Sequence, residues 1–405
     1  MTADETGQVI ACMEPMLPDM QSPKLADLTR SVFLEAGALC ATLPAALTRQ
    51  AVADLVREMN SYYSNLIEGH KTLPRDIERA MRDDFSADEK QRQNQHLVAA
   101  HIRVELEMER RLREEPDLDI HSESFLCWLH GAFYGNLPEE LHYAQTRTGK
   151  RYRIEPGALR TFNVDIGTHT PPDHRHVRAC LERFAHAYGD RSISATHALA
   201  AAAAAHHRLT WIHPFGDGNG RVARLYSHAA MIRQGLDGLG MWTLSRGLAR
   251  HRAEYYAHLA AADKPRHGDY DGRGSLTARG LTDFCIFFLE TVLDQVRFMG
   301  GLLELPKLQA RIEDYVFREA VHITRHKDRL ARLLKAALTE GEIERGRVSE
   351  IVGLKPSAAR QVTRLALDEG LLRSATPKGP LRVAFPAKVL DAYFPRLFLD
   401  APIGE

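Results

Sequence analysis

Cysteine, long hydrophobic runs and an excess of charge of one sign are all scarce in this chain of 405 residues. It has 5 cysteines and no C-x-x-C pair, which is typical neither of a disulfide framework nor of a zinc knuckle. The longest apolar stretch, residues 198–205, is far shorter than the roughly 20 residues of a membrane-spanning helix. Lysine plus arginine and aspartate plus glutamate both number 53, so no overall field attracts nucleic acid or an anionic membrane.

The start of the chain is acidic and has no basic segment followed by an apolar one. We therefore expect no export signal, no membrane association and a cytoplasmic location. A hydrophobic content of 44% with 26% charged residues is typical of a soluble globular protein with an ample core. At about 150 residues per domain, the length predicts two or three domains.

Helical periodicity dominates the sequence, so the predicted fold class is mainly α. Apolar residues recur at helical spacing between Arg49 and Asn65 and predict an amphipathic helix that ends near Gly69. A stretch rich in glycine and proline interrupts the helical pattern, and there Val164 and Ile166 alternate with polar neighbours and predict a short hairpin strand. Further helices are predicted at residues 88–114, 124–134, 194–212, 222–234, 244–260 and 281–298.

Three regions are expected along the chain. They are an N-terminal helical region at residues 1–115, a helical-bundle core at 116–300 and a C-terminal region at 301–405, with Gly300 and Gly301 as punctuation. The last region is expected to contain three helices and a hairpin, the order found in winged helix-turn-helix domains.

The C-terminal region carries basic side chains that could meet DNA phosphates. Asp368 and Glu369 dilute this patch, so DNA binding is the less favoured interpretation. The basic residues are Lys355, Arg360, Arg364, Arg373, Lys378 and Arg382.

The segment with the most distinctive chemistry is HPFGDGNGRVAR, residues 213–224. Gly216, Gly218 and Gly220 allow the backbone to bring several N–H groups to one point. The loop leads into a helix that begins near Asn219. The N–H groups and the helix dipole would together form an anion site suited to phosphates.

The charged side chains of this segment point to a nucleotide phosphate. Arg221 and Arg224 share a face of the first helical turn, where cations are unfavourable unless an anion lies between them. Asp217 is a carboxylate beside the phosphates and is suited to hold Mg²⁺. His213, as a neutral imidazole, could take a proton from an attacking hydroxyl. A Walker A loop is excluded, because a helix precedes the segment and Arg221 stands where lysine is required.

These twelve residues match the H-x-F-x-[D/E]-G-N-G-R-x-x-R signature of the Fic family, which the chain resembles. Most members transfer AMP from ATP to a hydroxyl group of a target protein. The resemblance implies that His213 is the general base, that Asp217 binds Mg²⁺ and that the backbone of Gly216–Gly220 is the anion hole. It also implies that Arg221 and Arg224 contact the phosphates.

The resemblance extends beyond the signature. One segment is similar to the family's flap, a hairpin that holds the target's backbone by strand addition. Tyr255 and Tyr256 resemble the lining of the adenine pocket, whereas His251 departs from the asparagine that many members have. The flap residues are Asn163, Val164, Asp165, Ile166 and Gly167.

Ser64 and Glu68, followed by Gly69, match the family's inhibitory motif S/T-x-x-x-E-G/N. Spaced by four, the two side chains share a helix face. In the family the glutamate pairs with the second arginine of the signature, here Arg224, and so takes the partner of the γ-phosphate. The resemblance therefore implies the class with an N-terminal inhibitory helix, and it places Glu68 in the ATP site.

Together these features predict an autoinhibited protein adenylyltransferase that uses ATP and Mg²⁺ to modify a Ser, Thr or Tyr hydroxyl of a target protein. Self-modification and a homodimer are left open, as are target selection and self-association by the C-terminal region. Alternatives within enzymes are transfer of another phosphate-bearing group, and removal of AMP with Glu68 orienting a water. An alternative of another class is a DNA-binding regulator whose core only senses nucleotide.

Overall fold

A computed structural model describes residues 3–145, 149, 151–167, 169–190 and 192–398 of the protein, with side chains from residue 7 onward. The predicted acidic start and the predicted end of the C-terminal region therefore lie partly outside the described residues. Within them the architecture is mainly α, as the periodicity predicted. No helix among them has both the length and the apolar character needed to cross a bilayer.

The helices follow one another along the chain, and the longest connection between them runs from α6 to α7. They are α1 Ala3–Ala11, α2 Pro23–Cys40, α3 Ala46–Ile67, α4 Pro74–Ala80, α5 Glu89–Glu114, α6 Glu123–Gly135, α7 Val177–Tyr188, α8 Ala195–Ile212, α9 Asn219–Arg233, α10 Leu244–Arg250, α11 Arg252–Ala262, α12 Ala278–Leu303, α13 Leu305–Asp314, α14 Lys327–Glu340, α15 Val348–Val352, α16 Pro356–Asp368 and α17 Leu390–Tyr393.

Local sequence explains where several helices begin. Asp88 caps α5 by accepting a hydrogen bond from the Gln91 amide at 2.8 Å, and Ser122 caps α6 through Phe125 at 3.2 Å. The alanine-rich helix α8 is buried along most of its length, because its small side chains allow close approach of neighbouring helices.

Two predicted boundaries are corrected. The helix expected at 244–260 is two helices, because the backbone of His251 leaves the helical region at φ −111° and ψ 37°. Gly300 and Gly301 do not end the last predicted helix of the core. They lie inside α12, and the chain breaks at Glu304, where Pro306 fits the first turn of α13 because no helical N–H bond is needed there.

The hairpin near the core lies upstream of its predicted position. Strand β1, Tyr143–Gln145, pairs antiparallel with β2, Arg151–Arg153. Val164 lies in no strand, and Ile166 makes only a single bridge to His169, so the predicted strand is wrong. The physical reason is local. The Asn163 side chain donates to Asp173 Oδ2 at 2.9 Å and accepts from the His174 amide at 2.8 Å, and the two prolines that follow the bridge have no N–H to extend a ladder.

The C-terminal region contains the helices α14, α15 and α16 and the hairpin that the sequence predicted. Its sheet is antiparallel, with strands in the order β3 Glu342–Ile343, β5 Leu381–Val383 and β4 Leu372–Arg373.

This region packs directly on α3. The Thr48 hydroxyl donates to the Leu338 carbonyl at 2.8 Å, and the buried Tyr63 hydroxyl donates to the Leu397 carbonyl at 2.9 Å. The helix that carries the predicted inhibitory motif is therefore held between the core bundle and the C-terminal region.

Candidate active site

The loop between α8 and α9 closes through a pair of reciprocal hydrogen bonds. The Phe215 amide donates to Asn219 Oδ1, and Asn219 Nδ2 donates to the Phe215 carbonyl, both at 2.9 Å. Gly218 has a φ of +78°, and a Cβ there would lie 3.0 Å from the Tyr134 ring, so only glycine fits. The loop is thus fixed with its amides at the N-terminus of α9.

His213 ends α8 in the left-handed conformation, at φ 50° and ψ 63°. Its Nδ1 lies 3.3 Å from the Thr210 carbonyl, and because a carbonyl can only accept, Nδ1 donates and Nε2 is the basic nitrogen. Burial lowers the pKa of His213 to about 4. The ring is therefore neutral near pH 7 and able to take a proton.

Arg160 fixes the backbone of His213 by a side-chain hydrogen bond. Its Nε donates to the His213 carbonyl at 2.8 Å, and its two terminal nitrogens donate to the carbonyls of Phe162 and Pro172. Arg160 is buried, and these carbonyls replace a carboxylate partner. No signal in the sequence indicated this role of Arg160.

Asp217 lies at the mouth of the loop with its side chain half exposed. The Tyr134 hydroxyl of α6 donates to its Oδ2 at 2.6 Å. Burial pushes the pKa of Asp217 up, but Arg221 and the hydrogen bond from Tyr134 bring it below the ordinary value. Asp217 is therefore ionised. Sequence reasoning did not find Tyr134, which the fold brings up from 83 residues away.

The two arginines of the signature are buried and point toward α3. Arg221 Nε donates to Asn65 Oδ1 at 3.2 Å, and its guanidinium lies 5.1 Å above the Phe133 ring. Arg224 donates from Nε to Ser64 Oγ and from a terminal nitrogen to the Ser64 carbonyl, both at 2.9 Å.

Glu68 completes the hydrogen bonds of Arg224, which donates to Glu68 Oε1 at 2.6 Å. A methyl group on Gly220 would collide with the Glu68 carboxylate, so this carboxylate lies directly against the N-terminus of α9. Burial raises the pKa of Glu68, but Arg224 and then Arg221 overcome that effect and hold it below the ordinary value. The site that the sequence predicts for phosphate thus holds an anionic side chain of the chain itself.

The three residues predicted for the adenine pocket differ from one another in burial. Tyr255 is buried, and its hydroxyl lies 2.7 Å from His206 Nε2. Tyr256 is exposed, and the centroids of the Tyr255 and Tyr256 rings lie 5.4 Å apart. His251 is exposed and pairs only loosely with Glu254, at 3.6 Å. Tyr255 and Tyr256 thus lie together beside Arg224, and His251 lies at the surface.

The predicted flap, residues 163–167, is close to the loop between α8 and α9, but its backbone is irregular. Asn163 is fixed by its side-chain bond to Asp173 at 2.9 Å. Val164 is partly buried, whereas Asp165, Ile166 and Gly167 are exposed. Since His169 lies 2.8 Å from the Trp211 carbonyl, the segment is connected to the end of α8, two residues before His213.

A glycine loop at a helix N-terminus, two buried arginines, an ionised aspartate and a neutral histidine are groups suited to bind a nucleotide phosphate and to supply a general base. Residues 120–231 match the Fic/DOC family. This part of the chain is therefore similar to the Fic/DOC family.

Curated relatives are similar to part of this chain. The chain is 39% identical over 82 residues to "Protein adenylyltransferase Fic" of Drosophila virilis, covering 20% of this chain and 17% of the relative. It is 34% identical over 121 residues to the protein of the same name from Nematostella vectensis, covering 30% of this chain and 26% of the relative. The chain thus matches about a quarter or less of these relatives' lengths.

The fold is shared with solved structures at low identity. A Fic family protein from Desulfovibrio desulfuricans has a TM-score of 0.53 and 18% identity, covering 91% of this chain and 98% of that chain. Fic-1 (residues 134–508) of C. elegans has a TM-score of 0.51 and 21% identity, covering 69% of this chain and 73% of that one.

Proposed function

We propose that this chain is a protein adenylyltransferase that transfers AMP from ATP to a Ser, Thr or Tyr hydroxyl of a target protein. The observation that carries the proposal is the neutral imidazole of His213, fixed next to an anion-binding helix N-terminus that holds Arg221 and Arg224. The names of the curated relatives support the same activity. A cytoplasmic location, where ATP is abundant, fits it.

In this proposal the chain's own groups position both reactants. Backbone amides of Gly216–Gly220 and the guanidinium of Arg221 bind the ATP phosphates. His213 Nε2 takes the proton of the target hydroxyl while its oxygen bonds to the α-phosphorus. The bond from that phosphorus to the bridging oxygen breaks, pyrophosphate leaves with the electron pair, and AMP remains on the target.

Mg²⁺ fits the proposed site through Asp217. This carboxylate is ionised and half exposed at the mouth of the loop, and oxygen is the ligand that Mg²⁺ prefers. Mg²⁺ held there would neutralise charge on the phosphates. Tyr134 would orient the carboxylate through its hydrogen bond to Oδ2.

Autoinhibition is proposed from the hydrogen bonds that Arg224 makes. Its Nε and a terminal nitrogen donate to Ser64 and Glu68, so these donors are engaged within the chain itself. The Glu68 carboxylate also repels a γ-phosphate approaching the same helix N-terminus. Release of Glu68 would free Arg224 for the γ-phosphate and allow the α-phosphate to align for in-line attack.

The remaining assignments belong to the same proposal. Tyr255 and Tyr256 would border the adenine, with His251 at the rim. Residues 163–167 would hold the target's backbone by strand addition next to His213. Self-modification would appear as an adduct on the chain itself in the experiment below. A homodimer would appear in native mass spectrometry, and DNA binding by the C-terminal region in a DNA titration.

Intact-mass spectrometry tests the proposal. Purified wild type, Glu68→Gly and His213→Ala are incubated with ATP and Mg²⁺ in a whole-cell lysate, followed by peptide mapping. We expect an adenylyl adduct on a lysate protein or on the chain itself, stronger in Glu68→Gly and absent in His213→Ala. His197→Ala, which changes an exposed histidine of α8, is the matched control and should behave as wild type. An adduct that survives in His213→Ala would contradict the assigned base.

A further inference from the structure

A buried polar cluster lies behind the candidate active site, outside every residue assigned so far. Helix α5 places His101, Glu105 and Glu109 four residues apart and therefore on one face. His228 of α9, one turn after Arg224, faces them. The cluster thus joins two helices of the core.

The donor atoms of this cluster lie close enough together to hold a metal ion. His228 Nδ1 lies 3.2 Å from Glu105 Oε1, and His101 Nδ1 lies 3.5 Å from Glu105 Oε2. Glu105, Glu109 and His228 each offer one donor atom, and these three atoms lie within 4.8 Å of one another. With Zn–N and Zn–O bonds of roughly 2.0–2.2 Å, the ligand atoms of a tetrahedral site lie about 3.3 Å apart.

An independent observation points to a ligand here. The His101 side chain is completely buried, its Nδ1 reaches Glu105 Oε2 only at 3.5 Å, and its Nε2 has no hydrogen-bond partner in the described residues. His228 Nδ1 is also a buried atom, and its contact is Glu105 Oε1 at 3.2 Å. Buried imidazole nitrogens normally find a partner, because leaving one unsatisfied is costly. A cation between these rings and the carboxylates would satisfy them.

The charges of the cluster also leave room for a cation. Glu105 and Glu109 bring two negative charges, of which Arg57 offsets one through its 2.7 Å contact with Glu109 Oε2. Arg57 is shared with Asp54 at 3.2 Å. Asn60 donates to Glu105 Oε2 at 2.7 Å but is neutral. The remaining charge must be balanced by a proton on His228 or by a metal ion.

We propose that Glu105, Glu109 and His228 bind Zn²⁺, with His101 as the nearest further nitrogen donor. Mixed imidazole and carboxylate ligands suit this ion. The site would fix α5 to α9, and through Asn60 it would also fix α3. It is separate from Asp217 and does not depend on the proposed transfer of AMP.

Metal titration of the full-length chain tests this site. Chelator-treated, dialysed protein is titrated with ZnCl₂ by calorimetry and with CoCl₂ by visible absorption, where Co²⁺ in a tetrahedral site absorbs strongly. We expect a single site whose affinity falls at least about tenfold in His228→Gln. His197→Gln, an exposed histidine on α8, is the matched control, and Asp217→Asn reports on binding at the catalytic loop. Both should retain the site.

The outcomes separate a metal from a proton. Absence of Zn²⁺ binding, or equal binding in wild type and His228→Gln, would overturn the proposal and leave His228 as a protonated partner of Glu105. Circular dichroism shows whether each variant is folded. His228→Gln is the deciding variant, because the His228 side chain is partly exposed and glutamine preserves its polarity.

Discussion

The guanidinium of Arg224 donates to the Glu68 carboxylate at 2.6 Å, across 156 residues of the chain. Both groups lie at the N-terminus of α9, where the helix dipole and the loop amides favour an anion. The carboxylate therefore takes the position that suits a phosphate, and the arginine that would bind the phosphate is occupied. The proposed inhibition is a direct competition between a side chain and a substrate for one electrostatic site.

Glu68→Gly should increase AMP transfer and ATP affinity. A charge-assisted hydrogen bond contributes roughly 1.5–3 kcal/mol, so freeing Arg224 for a phosphate should raise affinity by about 10- to 100-fold. Calorimetric titration with ATP and Mg²⁺ measures this without a target protein.

The control for this change is Glu115→Gly. Glu115 also ends a helix and pairs with an arginine, Arg111 at 2.9 Å, but it is exposed and lies at the end of α5. It should leave ATP affinity unchanged. Equal affinity in wild type and Glu68→Gly would show that the Glu68 carboxylate does not compete with ATP.

The pH dependence of transfer should reflect the buried state of His213. Because burial lowers the pKa of His213 to about 4, the imidazole stays neutral and basic until the pH falls through that value. The kcat/KM for the Glu68→Gly variant should therefore hold through mildly acidic pH and fall only near pH 4. An acid limb centred at about 6.5, the value of an ordinary histidine, would contradict the assignment.

Tyr134→Phe should weaken the binding of Mg²⁺ and ATP. The change removes the 2.6 Å hydrogen bond to Asp217 Oδ2 and leaves the ring that packs under Gly218. We expect the Mg²⁺ concentration for half-maximal ATP binding to rise by roughly 10-fold, since partners that orient a metal ligand contribute about 10- to 100-fold. Tyr152→Phe, which loses a bond to the Gly216 carbonyl instead, is the comparison. No difference between wild type and Tyr134→Phe would remove Tyr134 from a positioning role.

Tyr63→Phe should destabilise the protein. Its buried hydroxyl donates to the Leu397 carbonyl at 2.9 Å, and without it that carbonyl would keep only the longer contact from Arg246 Nε at 3.4 Å. The free energy of unfolding in urea should fall by about 0.5–1.5 kcal/mol. Tyr270→Phe alters a fully exposed tyrosine and should have no effect. If both variants unfold at the same urea concentration as wild type, this contact contributes nothing measurable to stability.

Much of the helical architecture could be predicted from periodicity, because the burial of one helix face imposes a pattern on neighbouring residues. The bounds of α5 and α8 differ from the predicted ones by a single residue. Patterns were less informative where side chains compete with the backbone. Asn163 binds Asp173 instead of continuing a strand, and the helix expected at 244–260 breaks at His251.

By itself the sequence determined the candidate chemistry, because residues 213–224 hold a base, a carboxylate, two arginines and the glycines within one loop and one helical turn. The spacing of Ser64 and Glu68 predicted a shared helix face for the same local reason. Only the tertiary structure decided which distant groups complete the site. Tyr134 reaches Asp217 and Arg160 reaches His213 because buried polar groups must find partners wherever the packing of helices brings them, and no spacing along the chain records that packing.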